Sequence, residues 1–81
     1  MRPEIRAQVE MESKDILGHY YDSVKYQIDE NYYAYKENGM TMEDIVEEEV
    51  DCVGLSFEEE DMCTLVEHFT EEFENYNPNL F

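Results

Sequence analysis

From Glu37 to Phe81 the chain carries fifteen carboxylates and not one Lys or Arg. A block of like charge this long is ordinarily a solvated, disordered tail, because it lacks the apolar surface that offsets the entropy of folding. Here the acids alternate with Ile, Val, Leu, Met and Phe at steps of three and four. That interleaving narrows the outcome to amphipathic helices whose apolar stripes pack together and whose remaining faces are almost wholly anionic. The five basic residues, Arg2, Arg6, Lys14, Lys25 and Lys36, all precede this block.

The periodicity predicts an all-α protein, a small bundle of three to four helices in a single domain spanning residues 1–81. A first helical region runs from Pro3 to Glu37, with an apolar face of Leu17, Tyr20, Tyr21, Val24, Ile28, Tyr32 and Tyr35. Ile5 and Val9 sit on a slightly rotated face, so a break is expected at Gly18. Asn38 and Gly39 supply the left-handed stop. Thr41 and Asp44 have the spacing of a capping box, with Asp in place of the usual Glu. The helix they open carries Met42, Ile45, Val46, Val50 and Val53 inward and stops at Gly54. Glu49 falls inside that apolar arc, so it lies at the rim or is paired. The stretch 50–57 also reads as a short strand, being rich in Val with Cys, Leu and Phe.

Ser56 and Glu59 form a capping box of standard spacing. The helix expected from it buries Met62, Leu65, Val66, Phe69, Phe73 and Tyr76 and ends at Asn77 and Pro78. Leu80 and Phe81 are expected to dock on the core or on a second subunit. A homodimer would add buried area to a bundle of such short helices.

Projected at about 100° per residue, the acids collect in rows. Glu60, Glu67, Glu71 and Glu74 form a stripe on the last helix, and Asp44, Glu47, Glu48 and Asp51 another on the middle one. On the first region Asp15, Asp22 and Asp29 recur at heptad spacing, accompanied by Tyr26 and Tyr33. Tyrosines on an acidic face suit contact with Arg and Lys, whose cations stack on the ring. The candidate partner-binding residues are the two stripes of the middle and last helices, with Asp22, Asp29, Tyr26 and Tyr33 on the first region.

Other chemistries are poorly supplied. Cys52, Cys63, His68 and His19 match no compact zinc spacing, and the two cysteines read as small buried thiols. No segment has the pattern of an EF-hand loop. There is no nucleophile motif and no Gly-rich phosphate loop, so neither an enzyme nor a bound cofactor or metal is expected. No stretch reads as a signal peptide or approaches the roughly 20 apolar residues of a membrane span, so a cytoplasmic setting is expected.

A net charge of −17 on 81 residues repels nucleic acid and anionic lipid and attracts cationic surfaces. In length, charge and carboxylate stripes the chain resembles the small acidic DNA-mimic proteins of bacteriophages and mobile elements, among them anti-restriction, anti-CRISPR and uracil-DNA glycosylase inhibitors. That group shares no fold and no motif, so the resemblance transfers no residue. It implies an inhibitor acting in a bacterial cytoplasm on a basic nucleic-acid-binding protein such as a nuclease. The alternative is a cytoplasmic adaptor or chaperone for a basic protein, for which Tyr20, Tyr21, Tyr32, Leu80 and Phe81 are candidate apolar contacts; an acidic antitoxin follows by the same charge logic.

Overall fold

The computed structural model describes residues 3–75, an all-α bundle of four α-helices: α1 (Pro3–Leu17), α2 (Tyr21–Glu37), α3 (Met42–Cys52) and α4 (Glu59–Thr70). One 3-10 turn, Gly18–Tyr20, joins α1 to α2, and α4 runs on into a π-helical turn, Glu71–Asn75. No strand occurs among the described residues. No helix among them is long and apolar enough to cross a membrane. The expectations for Tyr76, Asn77, Pro78, Leu80 and Phe81 lie outside the described residues.

The break at Gly18 turns one long periodic stretch into two helices, so Asp15 no longer continues the row of Asp22 and Asp29. At the far end of α2, the N–H of Met40 donates to the Tyr35 carbonyl and that of Gly39 to the Lys36 carbonyl. α3 ends the same way, with Leu55 N–H to Val50 O and Gly54 N–H to Asp51 O. Both are Schellman stops, which require the left-handed φ that Gly39 (77°) and Gly54 (79°) adopt. The second stop removes the strand reading of 50–57, because Val50–Cys52 complete a helix and Leu55 is held by its last turn.

Thr41 and Asp44 close a reciprocal capping box at the start of α3, each backbone N–H bonded to the other's side chain at 3.2 Å. Ser56 and Glu59 do not. Residues 55–58 form an irregular connection in which Leu55 and Phe57 pack against the core, and α4 begins at Glu59 with the extended Glu58 as N-cap and no side-chain cap.

α4 is the central element, packed between α1 and α3, and α3 packs in turn on α2. The core is Leu17, Tyr21, Val24 and Ile28 from the first two helices, Met42, Ile45, Val46 and Val50 from α3, and Leu65 and Phe69 from α4. An aromatic row links α2 to α4 through Tyr21, Phe69, Phe73 and Tyr32, with successive ring centroids 6.0–6.1 Å apart. Such offset pairs add to the stabilisation from burial alone.

Candidate functional site

An open groove of about 1000 Å³ lies between α3, the connection that follows it, and α4. Its floor is Met40, Val50, Leu55, Phe57, Met62 and Val66, and its walls carry Glu43, Asp44, Glu47, Glu48 and Asp51 from α3 with Glu59 and Glu67 from α4. The Schellman stop at Gly54 and the 55–58 connection turn the chain from α3 into α4, and Leu55 and Phe57 line the groove between the two helices. No Lys or Arg lines the groove among the described residues, and none follows Lys36 in the chain.

The structure thus brings Asp44, Glu47, Glu48 and Asp51 together with Glu67. Glu60 lies further along the same crest of α4 but borders a second, smaller depression on the α1 side, with Glu12, Asp15 and Asp61. Glu71 is half-buried. Glu74 is not a free carboxylate: its Oε2 accepts from Lys36 Nζ at 2.7 Å and from the Tyr32 hydroxyl at 3.2 Å. The π turn shifts the register after Thr70, and Glu74 swings toward α2, so the expected four-residue stripe does not act as one row.

Asp22, Asp29, Tyr26 and Tyr33 are all exposed on α2, with Tyr33 at 81% the most open of the large hydrophobic side chains among the described residues. A hydrogen bond to Glu30 raises the Tyr26 phenol above its ordinary value. None of these four lines the groove. They form a separate acidic and aromatic surface.

One expectation needs revision: Cys52 and Cys63 are free and exposed rather than buried, since Cys52 is the last residue of α3 and Cys63 faces the groove. His68 belongs to the core, only 1% exposed. Its Nε2 shares a hydrogen bond of 2.6 Å with the Tyr21 hydroxyl. Burial holds the imidazole below its usual value, against the opposing effect of Glu72 and Glu10, and burial pushes the Tyr21 phenol up.

Around this pair the fold assembles a set of donors that the sequence did not reveal. One side-chain donor atom from each of Glu10, His68 and Glu72 lies within 4.8 Å of the others. Glu10 comes from α1, and the remaining two are one turn apart on α4 and its π extension. Only the i, i+4 relation of His68 and Glu72 was visible beforehand. The 58 positions separating Glu10 from His68 hid the rest.

Glu49 resolves as a paired residue: it is buried, and the Tyr35 hydroxyl donates to its Oε2. Neither a protein-family model nor a curated protein nor a solved structure matches this chain.

Proposed function

We propose that the chain is an acidic inhibitor that binds a basic nucleic-acid-binding protein and occupies its nucleic-acid site in the manner of a DNA mimic. The observation that carries this reading is the carboxylate row of α3. Asp44, Glu47, Glu48 and Asp51 span about 10.5 Å of helix axis, a mean separation of about 3.5 Å. One strand of duplex DNA advances about 3.4 Å per phosphate. A Lys- and Arg-lined cleft built for a phosphate strand therefore meets the same linear density of negative charge on α3. Glu67 and Glu59 add a second row across the groove.

Exposure favours the charged faces over an apolar seam. Tyr21 is buried and Tyr20 and Tyr32 are half-buried, while among the described residues the exposed large hydrophobics, Ile5, Met11, Tyr26 and Tyr33, lie on α1 and α2. One feature favours the adaptor reading instead: the apolar groove floor, rimmed by acid, suits a basic amphipathic helix of a client protein.

The two readings separate in a capture experiment. The tagged chain is presented to a bacterial lysate at low salt, then washed with excess duplex DNA. The mimic reading expects basic nucleic-acid-binding proteins that duplex DNA releases. It also expects none to be captured by the variant carrying Asp44→Lys, Glu47→Lys, Glu48→Lys and Asp51→Lys. Partners indifferent to DNA support the adaptor reading, and capture unchanged by the four reversals removes α3 from either.

A further inference from the structure

We infer that Glu10, His68 and Glu72 form a binding site for a divalent transition-metal ion of the zinc class, which ties α1 to the end of α4. The site is independent of the acidic groove and of the function proposed for it.

Three observations carry the inference. First, the donor set is chemically mixed. One imidazole and two carboxylates within 4.8 Å of one another suit zinc, whereas Ca²⁺ and Mg²⁺ take oxygen ligands. A zinc ion holding its ligands at roughly 2.0–2.2 Å sets them roughly 3.4 Å apart, so closure asks for an ångström or so of side-chain movement. The half-buried Glu10 and Glu72 can supply this by rotation.

Second, the surroundings are built. His68 is 1% exposed and its ring is oriented by Tyr21 at 2.6 Å, the kind of outer hydrogen bond that fixes a metal-bound imidazole. Ser13 lies one turn beyond Glu10 on α1. It is wholly buried, and its Oγ finds no hydrogen-bond partner. Buried polar groups are rarely left in that state. A metal-bound water is the partner proposed for that hydroxyl, one helical turn from Glu10.

Third, the π turn begins at Glu71, between His68 and Glu72. Single wide turns of this kind are frequent at functional sites. Lys14 is the competitor for Glu10, but its Nζ stands 3.7 Å from Glu10 Oε2 and is half-exposed, a loose pair that a metal displaces.

The test is calorimetric titration of the metal-free protein with zinc, in excess Mg²⁺ to occupy nonspecific carboxylate sites. The wild type is expected to bind one zinc per chain and to gain thermal stability with it. Glu10→Gln and Glu72→Gln should each weaken zinc by about tenfold or more, since even outer partners of metal ligands cost 10–100-fold. His68→Gln should abolish the site, with helix content checked by circular dichroism because this residue is in the core. Glu47→Gln with Glu48→Gln, in the groove, should leave zinc binding unchanged. Equal binding by the wild type and both half-buried glutamate variants overturns the proposal, as does weak binding of several ions that the groove variant reduces.

Discussion

Glu49 shows what a single residue position does and does not disclose. Its place inside the apolar arc of α3 marks it as a residue needing a partner. The partner, Tyr35, lies on another helix, and nothing in the spacing of either residue joins them. With Glu49 only 4% exposed, removing the donor leaves a buried carboxylate under-satisfied. Tyr35→Phe is therefore expected to destabilise the fold by about 1–3 kcal/mol, measured by urea unfolding, whereas exposed Tyr33→Phe should change nothing measurable. The same contact has a pH signature. Burial, then the bond to Glu49, raise the Tyr35 phenol in the folded state above its ordinary value of 10.0. A raised folded value means the stabilisation is complete below about pH 10, the unfolded value, and is lost as pH rises beyond it. Stability measured between pH 8 and pH 11 should fall less steeply in Tyr35→Phe than in the wild type. His68 tells a similar story: its burial against Tyr21 and its proximity to Glu10 arise from the α1–α4 packing, which no local pattern encodes.

At the scale of elements, the helices and their stops were legible because their signals are local. The apolar steps of three and four, the Gly39 and Gly54 stops and the Thr41–Asp44 box all act within one turn. The Ser56–Glu59 signal misleads because a longer-range demand overrides it. Leu55 is held by the end of α3 and Phe57 packs on the core, so the chain is still extended at Glu58. The two boxes thus make opposite predictions. Thr41→Ala should cost about 1 kcal/mol, the usual loss for an N-cap. Ser56→Ala should cost a few tenths at most, because Ser56 caps nothing. Comparable losses in both, by urea unfolding, would contradict the assigned start of α4. The α3 carboxylate row was legible by the same periodicity, but the break in the α4 stripe and which acids share a groove were not. That depends on how α4 packs beside α3 and on the register shift that takes Glu74 to Lys36.

For the molecule as a whole, charge dominates. A net charge of −17 on a body about 39 Å in its longest dimension repels itself, and salt relieves that repulsion. Raising ionic strength from about 0.01 M to about 0.15 M shortens the screening length from about 30 Å to about 8 Å, which is from most of the molecule to one helix diameter. The free protein should therefore become more stable over that range, its urea midpoint rising, while its binding to a basic partner weakens. A midpoint that falls as salt is added would show that attractive ion pairs, not repulsion, dominate the folded state. The most direct measurement of the central claim is the apparent affinity for a purified, captured partner as duplex DNA is titrated in at fixed salt. The proposed mimicry predicts that the apparent Kd rises in proportion to DNA concentration, one ligand excluding the other. An apparent Kd that stays constant while DNA saturates the partner, with all three in one complex, would contradict it.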